Sequence, residues 1–379
     1  MTRMPAIGKE EKKVEYLELI YDLIFVYIIG RNNSLLHAVQ GGFISGAQFG
    51  AYVLSTLAAI QIWNFSTYYI NMFGRNSVRD HVFLFINMYL LYYIGEGTRL
   101  HWEGFWTQYH VAWALILVNI GAQYLIELRH HRDDADTARI LRNMLAVLFG
   151  EAALALLSAA LERDGGFPAL TLAAILWGIG MTALFADERK AGLVDFAHLS
   201  ERAMLYVVFT FGEMIIAIAS YFEGELTVNS VYFSLMAFLI VAALFLSYEM
   251  MYNRVIDREK RTAGLIYMLI HMFLIFAMNN VTTALEFMQN AQVSVWPKIL
   301  FLLGAFLLYH LCLLALMRYA RPEMRIRRRF PGQAAALTAA FVAGMLIFRE
   351  QMAVNIALSA AYVYALFIRL FAFARRAAE

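Results

Sequence analysis

The sequence predicts an all-α polytopic membrane protein of about twelve transmembrane helices, arranged as two parallel six-helix repeats. Three observations predict it. Of 379 residues, 61% are apolar and only 16% charged, against about a quarter charged in soluble domains. The mean hydropathy is +0.58. The apolar residues also gather into stretches near the length of about 20 residues that crosses a hydrocarbon core of about 30 Å. Five prolines and one cysteine exclude a disulfide framework, a cysteine metal cluster and a long low-complexity tail. A net charge of +2 from 31 basic and 29 acidic residues gives nucleic-acid binding no support. Arg3, Lys9, Lys12 and Lys13 precede the first apolar stretch, but no small-residue cleavage site follows Leu36. That stretch is expected to be retained.

Bounded by charge clusters, prolines or polar turns, the expected spans are 14–36, 47–69, 82–100, 105–126, 140–161, 169–186, 199–222, 231–252, 263–285, 296–317, 334–348 and 352–373. The eleventh is short, and without a turn at Arg349 and Glu350 it fuses with the twelfth. Cytoplasmic loops carry the excess of Lys and Arg. With the N-terminus inside, 25 of the 31 basic residues fall on the cytoplasmic side, with Arg202 beside it. Arg31, Arg99, Arg163, Lys298 and Arg349 fall outside. Both termini are therefore expected in the cytoplasm, with the chain in the inner membrane. The basic run 325–329 serves either as an anchor beside anionic lipid or as a docking site. Prolines 5, 168, 297, 322 and 331 sit in connections or first turns, where they cost little. Any unwinding is expected at glycine, at Gly212 or at Gly95 and Gly97.

Helices one to three recur as helices seven to nine at a spacing of 183 residues: Glu18 falls on Glu201, Tyr69 on Tyr252, Arg75 on Arg258. The expected halves are 1–193 and 194–379, six spans each and therefore parallel, related by an axis along the membrane normal. Their interface is the natural place for a pore or binding cavity.

A carboxylate at the bilayer centre costs about 2.5 to 3.5 kcal/mol on insertion scales, so each asks for an explanation. Glu18 and Asp22 are four apart on one face of helix one. They repel unless a proton or cation lies between them, or else they bond to neighbouring helices or nearby basic loops. Helix seven presents His198, Glu201 and Arg202 at its start, as an interfacial ion network or a working site. Glu213 follows Gly212 about 18 Å further across, with no basic residue within a turn, and carries the stronger functional reading. Glu151 sits mid-helix five without a local partner. Glu96, three residues before Arg99, reads as an ion pair near the outer surface, and Glu249 adds an acid in helix eight. His271 and His310 are proton relays or satisfied packing residues. This acid excess, against Arg31 alone, suits protons or small cations. The Phe and Tyr residues read as belt and packing, with none assigned to a cofactor.

Residues 14–30, VEYLELIYDLIFVYIIG, and 198–220, HLSERAMLYVVFTFGEMIIAIAS, resemble the two signatures of the bacterial low-temperature-requirement A (LtrA) family, V-E-L-F-F-D-L-V-F-V-F and H-x-x-E-R…L-G-E. Glu18 and Asp22 fall on the acids of the first; His198, Glu201, Arg202, Gly212 and Glu213 fall on the second. Trp63, Tyr68, Tyr69 and Asn71 are similar to the family's aromatic-rich end of helix two, and the spacing from His271 to Glu286 to its ninth helix. The acidic run after helix two is absent, leaving Asp80 in GRNSVRD, and W-W-x-Y-F-D in helix eight is reduced to Ser247, Tyr248 and Glu249. The resemblance covers most of the chain to about Glu286. It implies a membrane protein of a family named for cold growth, and no mechanism. A more distant resemblance, through the acid-bearing first helix and parallel duplication, is to two-repeat potassium and proton channels whose helices one and seven line the pore.

The leading expectation is movement of protons, cations or a proton-coupled small solute between helices one and seven, with Glu213 and Asp22 binding and releasing the ion. The alternatives are a non-transporting membrane sensor and an intramembrane lipid-modifying enzyme using His198 and Glu201. No H-E-x-x-H, phosphate-cradling glycine loop or paired-aspartate lipid-phosphate motif is present, so no enzyme is expected. No cofactor or resident metal is expected either. The partners are the lipid bilayer and protons or small cations; assembly as a homodimer stays open.

Overall fold

The computed structural model describes residues 12–97, 102–162, 168–186, 192–222, 226–324 and 329–378. Each expected apolar stretch overlaps a helix: α1 Tyr16–Asn32, α2 Gly46–Phe73, α3 Val78–Gly97, α4 Trp102–His130, α5 Ala135–Leu161, α6 Ala169–Leu184, α7 Phe196–Ala217, α8 Val228–Met250, α9 Leu265–Gln289, α10 Val295–Leu316, α11 Arg329–Ile347 and α12 Met352–Ala378. Among the described residues, seven helical segments are long and apolar enough to cross a membrane: Phe105–His130, Ala135–Leu161, Phe196–Phe222, Val228–Val255, Leu265–Gln289, Val295–Tyr319 and Met352–Arg375. The chain is an all-α polytopic membrane protein. A lipid-facing skin of exposed side chains such as Leu115, Leu300, Leu307 and Leu311 covers the bundle. α1 stays below that standard of length at 17 residues, and α2 carries a buried polar series from Ser55 to Asn71.

Local chemistry sets the helix starts. Ser45 accepts the Gln48 amide at 3.2 Å, and Thr227 and Ser230 form a reciprocal capping box. Asp195 caps α7 through the His198 amide at 3.1 Å. Asp134 caps α5 through the amides of Asp136 and Thr137 and the Thr137 hydroxyl. These bonds, the Thr137 hydroxyl first, hold the Asp134 carboxyl below the usual aspartate value. A depressed folded value means that the stabilisation is present above the ordinary value, about 4, and is lost as pH falls through the folded one. Amide exchange at Asp136 and Thr137, corrected for intrinsic rate, should therefore accelerate as pH drops from about 5 towards 2. In Asp134→Ala the same amides should already be fast at neutral pH, without that pH step.

The expected glycine breaks do not occur: α7 runs through Gly212, and α3 through Gly95 to Gly97. Departures from α geometry lie at helix ends instead, as a 3-10 turn over Ile218–Phe222, a π turn over Met251–Val255 and a 3-10 turn over Met317–Tyr319. Helix ends hold backbone groups without intrahelical partners, so the ladder is cheapest to change there. α11 and α12 are separated by residues 348–351, with Phe341 stacked on Tyr362 at 4.2 Å. Arg99, Arg163 and residues 325–328 lie outside the described residues.

Nothing in the apolar pattern anticipates the hairpin that follows α1. Strands β1 Val39–Gln40 and β2 Phe43–Ile44 pair antiparallel through Gly41 and Gly42, both at positive φ, 61° and 92°, as a two-residue hairpin turn requires. The Ser294 amide donates to the Gly42 carbonyl at 2.6 Å, which pins the hairpin to the α9–α10 turn. Leu36, Ile44, Tyr52, Phe287 and Val293 form a separate apolar cluster beneath it. At the opposite end, called here the basic end, the start of α1 meets the end of α2 and the start of α7, and the start of α9 packs on α7. α2 lies at the centre and packs on α1, α4, α6, α7 and α9.

Candidate functional site

Glu18 and Asp22 lie one turn apart on the buried face of α1, as their spacing requires, at 4% and 0% exposure. The cation between them is Arg202 of α7, itself fully buried. Its Nη1 pairs with Glu18 Oε2, its Nη2 with Asp22 Oδ1 at 2.5 Å, and its Nε donates to Asp22 Oδ2 at 3.1 Å. The guanidinium fork thus holds Asp22 with two donors and Glu18 with a third, the bidentate geometry for which arginine is suited. From α2, Trp63 Nε1 donates to Asp22 Oδ1 at 2.7 Å, and Thr67 Oγ1 accepts from Arg202 Nη2 at 3.4 Å. Trp63 is held by the Tyr206 ring at 4.4 Å.

His198 extends the network one turn back along α7. Asn71 Nδ2 donates to His198 Nδ1 at 3.0 Å and to the Asp195 carbonyl at 2.8 Å, while Asn71 Oδ1 accepts the Asp195 amide at 3.1 Å. With Nδ1 accepting, the proton of a neutral His198 sits on Nε2, which points at Glu18 Oε2 from 3.6 Å. A cavity of about 790 Å³ opens beside Glu18, lined by Lys12, Lys13, Glu15, Arg75, Asp80 and His81 among others. Lys12 closes the end of α2 by donating to the carbonyls of Ile70 and Gly74, and burial pulls its ammonium below the ordinary lysine value.

The remaining expected residues do not join this centre. Glu201 is half-buried and stands outside the network, and Glu249 is exposed. Glu96 meets Arg31 at 3.8 Å and the Tyr27 hydroxyl at 3.5 Å; its expected partner Arg99 is outside the described residues. His271 donates from Nδ1 to the Tyr267 carbonyl at 2.9 Å and accepts the Tyr248 hydroxyl on Nε2 at 3.0 Å, a satisfied packing residue. His310 Nδ1 donates to the Phe306 carbonyl at 2.7 Å. Glu213 lies towards the hairpin end of α7 against Gly30 of α1, where an added Cβ would come within 2.5 Å of its Oε1. Glu286, which His37 Nε2 meets at 3.1 Å, is close enough to repel it. Glu151 is fully buried with both oxygens unpartnered.

Charge and periodicity do not reveal Trp63, Thr67 and Asn71 as the groups that position the centre. The available signal was indirect: a buried acid pair needs a cation, and Arg202 is the one basic residue inside α7. No curated protein and no solved structure matches the chain. A family model described as bacterial low temperature requirement A protein (LtrA) matches residues 13–368, a span that contains both signatures and every residue of the ion centre. The chain belongs to the bacterial LtrA family.

Proposed function

We propose that this LtrA-family protein moves protons or small cations along the α1–α7 interface, with Glu18 and Asp22 as the exchanging carboxylates. The observation that carries the reading is the Arg202 triad, which joins α1 to α7 directly beside an open vestibule. Arg202 acts as a tethered cation: an arriving proton or ion competes with the guanidinium for the same oxygens, and its displacement loosens α7 from α1. Glu213 lies eleven residues further along α7, about 16 Å at 1.5 Å per residue. Between the two acid levels, side chains of α1 and α7 such as Phe25, Ile29, Tyr206 and Phe211 are buried, which supports an occluded arrangement in this reading.

In this reading all twelve helices span the inner membrane as two parallel six-helix repeats with both termini cytoplasmic, and the vestibule faces the cytoplasm. The neighbour pattern supports the repeat: α1 packs on α3 as α7 does on α9, α3 on α4 as α9 on α10, and α2 on α6 as α8 on α12. The ion centre itself is not repeated: the acid pair stands on α1, and α7 supplies its cation, Arg202, one position past Glu201, the residue that corresponds to Glu18.

The test is flux into proteoliposomes under Na⁺, K⁺ and proton gradients of both signs, with Asp22→Asn and Glu213→Gln beside wild type. Wild-type flux above empty liposomes, reduced at least about tenfold in Asp22→Asn, supports the reading. Absence of wild-type flux under every gradient refutes it. The triad would then be a static tie in a sensor, a reading favoured by the complete occupation of Asp22 by protein donors.

A further inference from the structure

Behind the α1–α7 interface, a second group of polar atoms is buried between α2, α5, α6 and α9. A void of about 20 Å³ is lined by Gln61, Asn64, Gly178 and Thr182, with Leu265 and Met268 of α9 on its far wall. That volume suits one water-sized particle. Three side-chain oxygens of its lining, Gln61 Oε1, Asn64 Oδ1 and Thr182 Oγ1, are buried without a hydrogen-bond partner, and their residues are 2%, 7% and 6% exposed. Leaving a buried polar atom unpaired is costly, so three around one void point to something that fills it. Each offers lone pairs, two as amide carbonyls and one as a hydroxyl, and a single cation satisfies all three at once.

A carboxyl group stands next to them. Glu151 Oε2 of α5 and Gln61 Nε2 of α2 converge on Gly178 of α6 so closely that a Cβ there would overlap both. The Trp113 indole of α4 is the donor beside it, and no ion pair to Glu151 is found among the described residues. Gln61 joins the two features: its Nε2, which donates to the Ile175 carbonyl at 3.4 Å, crowds Gly178 together with the acid, while its Oε1 is left without a partner beside the void. One carboxylate among neutral oxygens balances a single positive charge; a divalent ion would leave an uncompensated charge in the membrane interior.

We infer that the Gln61–Asn64–Thr182 void is a binding site for a monovalent, sodium-sized cation, with Glu151 as its counter-charge. Hard monovalent cations take oxygen ligands of this kind. The site is distinct from the Arg202 triad, and its occupation does not depend on transport along α1 and α7. By joining α2 and α6 of the first half across to α9 of the second, a bound ion ties the halves together.

The experiment is thermal unfolding of the purified full chain in detergent, titrated with NaCl against N-methyl-D-glucamine chloride at constant ionic strength, at pH 6 and pH 8. Wild type should melt about 3 °C higher at saturating sodium. Thr182→Val and Glu151→Gln remove an unpartnered hydroxyl and an uncompensated charge, so both should melt no lower than wild type without sodium and lose the sodium-dependent rise. A wild-type melting point indifferent to sodium overturns the inference, as does an equal rise in both variants, which places the ion elsewhere. A rise that follows pH and not sodium also overturns it, and makes Glu151 a proton-binding acid. The assay contains no gradient, so its failure leaves the α1–α7 reading intact, and a failed flux assay leaves this site intact.

Discussion

Arg202→Ala is expected to destabilise the folded protein by about 3 to 5 kcal/mol, the usual cost of leaving one side of a buried ion pair without its partner. Two carboxylates are stranded at once, because Glu18 and Asp22 share this guanidinium and neither has a second cation within the network. His198 offers Glu18 only a contact at 3.6 Å. The same argument predicts rescue. In Glu18→Gln/Asp22→Asn/Arg202→Met no charge is left to solvate, and most of the lost stability should return. Arg202→Lys should fall between, since an ammonium cannot hold Asp22 through two parallel donors while reaching Glu18. Denaturant or thermal unfolding of the four proteins in one detergent decides the matter: a triple variant no better than Arg202→Ala would show that the energy lies in packing around the arginine and not in its charge.

Trp63→Phe isolates the next contribution. It keeps an aromatic ring against Tyr206 but removes the one indole donor to Asp22 Oδ1, a hydrogen bond to a charged acceptor worth about 1.5 to 3 kcal/mol. Paired with Asp22→Asn in a double-mutant cycle, the two changes should be strongly non-additive, with a coupling of about 1 kcal/mol or more. Additive losses would mean that Trp63 contributes only its volume. Because Trp63 orients the carboxylate that Arg202 grips, Trp63→Phe should also raise proton or cation flux relative to the protein retained, if Arg202 is the competitor for that site.

The helices were legible because their signal is local: about twenty apolar residues between charges state a span without reference to the rest of the chain. The hairpin had a local signal too, Gly-Gly between Val39-Gln40 and Phe43-Ile44, but it is four strand residues long and was hidden by the stronger helical pattern on either side. The ion centre was half legible. One-face spacing exposed Glu18 and Asp22 and the need for a cation, whereas the partner lies 180 residues from Asp22, a separation that no local pattern spans. Around Glu151 a search for charges finds nothing, because the polar groups near it, Gln61 and Trp113, are neutral and come from two other helices.

The hairpin gives the bundle two unlike fastenings. At its end the α1–α2 connection is held to α9 and α10 by a backbone hydrogen bond from Ser294 and by Phe43 set edge-on to Phe287 and Phe301, at 6.1 and 6.2 Å. At the basic end α1 is held to α7 by the Arg202 charges. Contacts between apolar rings weaken on cooling, while a buried ion pair is at its least costly in heat and is loosened chiefly by protons or competing ions. Cooling therefore weakens both fastenings, while protons and competing ions act on the basic end alone, so ionic composition sets which end of the bundle yields first.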